Sequence, residues 1–285
     1  MSETPEHSTY CHSEFDTLKQ VILCEPRYMS IREVINEAQK KYKDEGIDVE
    51  KAMKQHHDFV DKLRSFNVDV TLLLPHKKFP EQVFTRDIGF TLGQTIFVAE
   101  MKSDVRRGEE NVLKSWLEAE EISYYNIVGE EIEGGDVVID RDTVYVGLSD
   151  RTNQIAINHL KGLLSKYEVI TVPFEKKYLH LDCVFNVLSP DLALLYPGVI
   201  EKEQEELIRS RYEVIEINKE EQFTLGTNIL SIGNKRVFSL PQNKHVNKEL
   251  TKRGFDIIEV DISEIIKSGG SFRCCTMPMK RERSK

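Results

Sequence analysis

The chain has 285 residues, 40% hydrophobic and 31% charged, which is enough for one large core or two ordinary domains of a soluble globular protein. A net charge of −9 with no offsetting basic stripe argues against a nucleic-acid partner, and no apolar run reaches the roughly 20 residues a membrane helix needs. Met1–His7 has neither the basic nor the apolar region of a signal peptide, so a cytoplasmic location is expected, and the terminal run Lys280-Arg281-Glu282-Arg283-Ser284-Lys285 reads as a solvated tail.

Taken in chain order, the first elements are a strand at Val21–Leu23, a long helical insertion from about Ile31 to Phe66, and a strand at Val68–Leu72. Ile88–Leu92 and Thr95–Ala99 then form a hairpin across Gly93-Gln94, rich in β-branched and aromatic residues. Val112, Leu113, Trp116 and Leu117 have helical spacing, and Ile122–Ile127 closes the unit as a strand. The next unit repeats the order. Val137–Ile139 and Val144–Val146 flank the turn Asp140-Arg141-Asp142, a helix carries Ile155, Leu160, Leu163 and Leu164, and Val169–Val172 follows. Val184–Leu188, Leu192–Tyr196, a charged helix around Leu207-Ile208 and Glu213–Ile217 make another. The last comprises Ile229–Ile232, Val237–Leu240, a helix through Val246 and Leu250 that Gly254 ends, and Ile257–Val260.

These units repeat. An aspartate precedes the first strand at Asp87, Asp136 and Asp182, and Asn228 takes that place in the next unit. Successive spacings are 49, 46 and 46 residues. Phe15-Asp16-Thr17-Leu18 reads as the fifth member. A period in the forties marks a supersecondary unit that stacks or closes radially. Closure fits better, because there are only five units and the terminal ones lack polar caps. The expected fold is therefore α/β, a single domain over residues 1–285 built from five ββαβ-like repeats with pseudo-fivefold symmetry. No G-x-G-x-x-G or P-loop is present, so no nucleotide cofactor is expected.

Candidate chemistry gathers at a few places. Ser268-Gly269-Gly270-Ser271-Phe272-Arg273-Cys274-Cys275 is poor core composition. Its Gly-Gly permits close approach of backbone to something, and Arg273 would lower a neighbouring thiol pKa. The bland reading is two small hydrophobes in a C-terminal strand. His180 and Asp182, two apart on a strand, would point the same way. No further ligands suggest a metal there, and the five cysteines (Cys11, Cys24, Cys183, Cys274, Cys275) include no C-x-x-C, so reduced thiols are expected. Carboxylates converging on one centre would repel unless they bind a cation, and a planar guanidinium matches them. Each aspartate could equally cap its own turn.

Several segments in this order resemble the guanidino-group modifying superfamily of dimethylarginine dimethylaminohydrolases, arginine deiminases and amidinotransferases. They are Pro80–Asp87, Arg106-Arg107, Glu133–Val137, Gly147–Asn153, His180-Leu181-Asp182 and Arg273–Thr276. The resemblance implies a five-bladed α/β propeller, the pentein fold. It implies Cys274 as nucleophile, His180 as general acid and base, and Glu133 orienting His180. Asp87 and Asp182 would grip the guanidinium, Arg106 and Arg151 would hold an α-carboxylate, and Glu81 would stand where relatives have Asp or Asn. Cys275 would be a packing neighbour. Asn228 and Asp16 would keep only the turn, and Asp136 would be subordinate to Glu133.

The implied activity is hydrolysis of arginine or an N-methylated arginine through a covalent thiouronium, giving citrulline and an amine or ammonia, with no metal and no cofactor. The length resembles the dimethylarginine hydrolases. His180-Leu181-Asp182 and Phe84-Thr85-Arg86-Asp87 lean toward the deiminases, and a second carboxylate favours a guanidinium with free N–H on both nitrogens. An amidinotransferase and a non-catalytic guanidino-compound binding protein are the alternatives. The expected partner is the small guanidino substrate, with a homodimer as a possible assembly and neither nucleic acid nor membrane.

Overall fold

The computed structural model describes residues 9–283, so Met1–His7 and the Ser284-Lys285 end of the tail lie outside the described residues. Five three-stranded sheets carry the fold. Each has a first strand antiparallel to a second, which runs parallel to a third after a helical crossover, as parallel neighbours require. The strands and crossovers are β3(Gly89–Leu92)–β4(Thr95–Val98)–α3(Glu109–Ala119)–β5(Tyr124–Asn126), and β6(Val137–Asp140)–β7(Thr143–Leu148)–α4(Gln154–Leu163)–β8(Glu168–Pro173). They continue with β9(Phe185–Ser189)–β10(Leu192–Leu195)–α5(Lys202–Arg211)–β11(Glu213–Glu216), and β12(Leu230–Gly233)–β13(Arg236–Ser239)–α7(Lys244–Lys252)–β14(Asp256–Glu259). The first strands of these four blades are buried along nearly their whole length, polar residues such as Asn186 and Ser231 included. The third strands are more open, with Glu213 and Glu216 exposed at the two ends of β11 and Ile215 buried between them.

The fifth sheet corrects one expectation. Its order is β15(Met277–Glu282), β1(Thr17–Cys24), β2(Asp69–Leu73), with β15 antiparallel to β1 and β1 parallel to β2. β15 is therefore the first strand and β1 the second. Asp16 precedes a second strand and is not the fifth copy. That place belongs to Cys274, 46 residues after Asn228 and just ahead of β15. The ends of the chain thus share one blade, and the ring is closed by hydrogen bonds of its last strand.

Closure is visible at the centre, where each loop is tied to the next. The Arg86 N–H donates to the Cys274 carbonyl at 3.0 Å, Gly134 N–H to the Asp87 carbonyl at 3.0 Å, and Arg273 N–H to the Asn228 carbonyl at 3.2 Å. Leu181 N–H donates to Asp136 Oδ1 at 2.9 Å, and Asn228 Nδ2 donates to the Asp182 carbonyl at 3.4 Å. Five links join five neighbouring pairs. The apolar core lies in clusters between the blades, such as Phe59 against Phe238 and Phe272, each at 5.1 Å between ring centroids.

The helical insertion holds two helices, α1(Glu37–Tyr42) and α2(Val49–Ser65), each started by a side-chain cap from Asn36 or Asp48. The short helices α6(Lys219–Phe223) and α8(Ser263–Ile266) join blades. One further reading changes. The basic tail is not solvated as a whole, because Lys280–Glu282 belongs to β15. Arg281 is 1% exposed, its Nη1 donating to the Asp16 carbonyl at 2.6 Å and the Ser231 carbonyl at 3.0 Å. Removing this donor would leave two carbonyls short of a partner. Arg281→Ala is expected to lower unfolding free energy by about 2 kcal/mol or more, read from the urea midpoint. Arg283→Ala should stay within about 0.5 kcal/mol of the parent.

Candidate active site

The ring brings Asp87, Asp182 and Cys274 to one centre, and the loops one residue group upstream add Glu133 and His180. All five are buried, Cys274 the most exposed at 3%. Close approach depends on Gly135, where a Cβ would lie 2.7 Å from both Asp87 Oδ1 and the His180 ring. Asp136 stays out of the site. Its Oδ1 accepts from Leu181 N–H, as above, and its Oδ2 accepts from Ser149 Oγ at 2.6 Å, so it positions the His180 loop.

His180 Nε2 and Glu133 Oε2 are 2.7 Å apart, and Nδ1 lies 3.5 Å from Asp87 Oδ1. Burial works to lower the imidazole pKa, but Asp87 and then Glu133 and Asp136 outweigh it and raise it to about 9. The imidazolium donates to Glu133. Burial alone would raise the Glu133 carboxyl, yet the bond and charge of His180, with Arg106 and Arg151 behind them, hold it below the ordinary carboxylate range. Asp87 Oδ1 has no hydrogen-bond donor although it is buried. In this low-dielectric place an oxygen without a donor is a demand for one.

Cys274 Sγ lies 3.6 Å from Asp182 Oδ2 and 3.9 Å from Oδ1, so the thiol donates to the carboxylate. Burial first, then the charges of Asp182 and Asp87, push this thiol well above its ordinary pKa. Arg273 acts in the expected direction, but burial and the two carboxylates outweigh it. The Arg273 guanidinium turns under the ring, with Nη1 on Asp182 Oδ2 at 2.6 Å and Nη2 on Glu14 Oε1 at 3.0 Å and the Val137 carbonyl at 2.7 Å. Burial opposes the Glu14 charge, but Arg273, Arg86 and Arg281 prevail and hold its pKa at about 2. Cys275 is buried and belongs to the apolar cluster that includes Phe59 and Phe272. The approach that Gly269-Gly270 permits is to Asn36 and Phe84: Gly269 has φ +91°, and a Cβ there would meet the Asn36 side chain at 2.6 Å.

Arg106 sits differently from the carboxylate-holding place expected of it. It is fully buried, with Nη1 on Asp87 Oδ2 at 2.5 Å, and Nε and Nη2 on Glu109 Oε2 at 3.1 and 2.8 Å. It braces Asp87 from behind. Glu109 is a site residue that nothing in the sequence marked, since an acid in the first turn of a helix is ordinary. Glu81 is buried nearby, held by Gln39 Nε2 at 2.8 Å and Ser268 Oγ at 3.1 Å, and burial raises its pKa to about 8. Arg151 lies nearer the outside, with Nη1 3.7 Å from Glu133 Oε1. It lines a cavity of about 350 Å³ together with Lys102, Ile35, Tyr178 and Leu179. A second cavity of about 190 Å³, bordered by Asn36, Tyr178, Cys183, Phe223 and Gly269, lies on the Cys183 side.

Asn228 also exceeds its expected role. Besides its turn, its Oδ1 accepts from the Cys274 N–H at 3.0 Å. The 46-residue register was the signal that could have found it. Asp87, Glu133 and His180 present possible ligand atoms within 4.8 Å of one another. A divalent cation there would need a neutral His180, which the raised pKa opposes below about pH 9. The arrangement suits a cation with N–H donors instead: a free carboxylate oxygen, a second carboxylate beside a thiol, and a charged imidazolium.

Residues 25–281 match the family model described as "N,N dimethylarginine dimethylhydrolase, eukaryotic". Protein YkgA of Bacillus subtilis is 52% identical over 97% of this chain and 96% of its own length. The N(G),N(G)-dimethylarginine dimethylaminohydrolase of Pseudomonas aeruginosa is 26% identical over 81% of this chain and 89% of its own. Among solved structures, the N-terminal domain of ArgZ, an arginine dihydrolase from cyanobacteria, superposes with a TM-score of 0.85 at 22% identity, covering 93% of this chain and 98% of that one. SxtG, an amidinotransferase from Microseira wollei, does so with 0.83 at 17% identity, covering 97% and 98%. These two likenesses speak for the pentein fold alone. The chain belongs to the N,N-dimethylarginine dimethylhydrolase family, within the guanidino-group modifying pentein superfamily.

Proposed function

We propose that this protein hydrolyses the guanidino group of arginine or an N-methylated arginine, giving citrulline and ammonia or an amine through a thiouronium on Cys274. At the level of the family it is a guanidino-group hydrolase, and the exact substrate is the proposal. The observation that carries it is the buried Cys274 thiol donating to Asp182, in a site where Asp87 Oδ1 lacks a donor and His180 is charged.

The chemistry follows from the charges. A guanidinium entering between Asp87 and Asp182 supplies N–H donors to both. Its positive charge offsets the carboxylates that hold the thiol protonated, so the thiol releases its proton to solvent as the substrate binds. The thiolate attacks the guanidinium carbon, and His180 gives its proton to the departing nitrogen. The neutral imidazole, oriented by Glu133, then takes a proton from the water that attacks the thiouronium carbon. Collapse releases the urea and frees the sulfur. Arg151, at the wall of the outer cavity, is the residue for an α-carboxylate. Arg106, bonded to Asp87 Oδ2, keeps that side chain aimed.

The test is a product analysis on arginine, monomethylarginine and the dimethylarginines, measuring ureido product and released amine together. Turnover of none of them, with Cys274 still labelled by an amidinium-bearing electrophile, would sink the substrate assignment and leave the thiol chemistry standing. Ornithine appearing only when an amine acceptor is added would indicate amidino transfer. Cys274→Ser should abolish turnover, and His180→Gln should lower kcat by about 10²- to 10⁴-fold. A pH series tests the imidazolium. Because the protonated form is the one that donates, kcat/KM, which reports the free protein, should fall as pH rises through about 9, and His180→Gln should lose that limb.

A further inference from the structure

Four of the five equivalent ring positions are chemically alike in shape, and only one of those four is neutral. Asp87, Asp136 and Asp182 are acids, Asn228 is an amide, and Cys274 is the thiol. The amide stands in the loop immediately before the nucleophile's. Asn228 is wholly buried, its Oδ1 accepts the Cys274 N–H at 3.0 Å, its carbonyl accepts the Arg273 N–H at 3.2 Å, and its Nδ2 reaches the Asp182 carbonyl at 3.4 Å. One side chain therefore touches the backbone of both groups that face each other across the thiol–carboxylate contact.

Hydrogen bonding alone does not call for an amide here. Asp136 accepts a loop N–H through a carboxylate at 2.9 Å, and a charged acceptor binds an N–H more strongly than a neutral one. The donor of Asn228 contributes little at 3.4 Å. What separates Asn from Asp at this place is charge. Cys274 already faces Asp182 and Asp87, with the thiols of Cys183 and Cys275 beside it and the Arg273 cation drawn off to Asp182 and Glu14. A third carboxylate bonded to the nucleophile's own backbone would add a negative charge that one substrate guanidinium cannot offset.

We propose that Asn228 is the positioning residue of the nucleophile, fixing the Cys274 backbone through its side-chain oxygen, and that it is an amide because this ring position must stay uncharged for the thiol to ionise. The inference rests on Cys274 being the nucleophile of the proposed reaction, and it does not depend on which guanidino compound is the substrate.

The test compares the parent protein with Asn228→Asp and Asn228→Ala. The rate of Cys274 alkylation by iodoacetamide is followed against pH by mass spectrometry of the Cys274 peptide, so the other cysteines do not contribute. Melting temperature is recorded alongside. Asn228→Asp keeps the acceptor, and its alkylation profile should move up by about one pH unit or more, a rate loss of about tenfold at neutral pH. Asn228→Ala keeps the place neutral but leaves the Cys274 N–H without its acceptor. Its inflection should stay with the parent's, while kcat for whichever guanidino compound is turned over falls by about tenfold at unchanged KM. An Asn228→Asp protein that folds and alkylates along the parent profile overturns the proposal. If Asn228→Asp does not fold, parental kcat in Asn228→Ala overturns it instead. A wrong substrate assignment would show as no turnover in the parent while the alkylation shift remains, so the two failures are distinguishable.

Discussion

A thiol buried beside carboxylates stays protonated until a cation arrives. The rest of this structure is arranged around that constraint. Cys274 touches Asp182 and feels Asp87, both fully buried. The protein's own cations are assigned elsewhere: Arg106 to Asp87 and Glu109, and Arg273 to Asp182 and Glu14. Both guanidiniums are held by these carboxylates, and the pull of Arg273 on the sulfur is outweighed. The missing positive charge is the one a guanidinium brings, so in the proposed reaction binding and activation are one event. Specificity follows from the same source, because a neutral urea product no longer offsets the carboxylates.

The propeller makes such a site possible at modest structural cost. Five loops of the same build meet at the axis, each tied to the next by at least one hydrogen bond. Each contributes one side chain at a fixed place: Asp87 and Asp182 facing the centre, Asp136 holding the His180 loop, Asn228 bonded to the Cys274 N–H, and Cys274, the proposed nucleophile. Rigid packing of the first strands between blades keeps these positions close enough that a glycine is required at 135. Burial then magnifies every charge among them.

Much of this was legible in the amino-acid order. Hairpin turns such as Asp140-Arg141-Asp142 lay between apolar runs, and the strand, helix, strand rhythm placed most elements within a residue or two. Asp87 and Asp182 announced themselves by register. Cys274 did not, although it keeps the same 46-residue step, because the closing blade is made from both ends of the chain and the count from the N-terminus met Asp16 first. Arg281 read as tail for the same reason: β15 has no partner until β1 is brought to it. Glu109 and the inward turn of Arg106 were invisible, because a first-turn acid and a nearby arginine are surface features unless the fold buries them together. The raised thiol pKa was misjudged for a related cause. The Arg273 charge does act on Cys274, but burial and the Asp182 and Asp87 carboxylates outweigh it.

The most direct measurement is thiolate absorbance near 240 nm, titrated in the parent and in Cys274→Ser so that the difference reports Cys274 alone. It is taken with and without a saturating, unreactive guanidinium ligand. The account requires no Cys274 thiolate at neutral pH in the free protein, and its appearance when the cation binds. Thiolate already present at neutral pH without any ligand would contradict it.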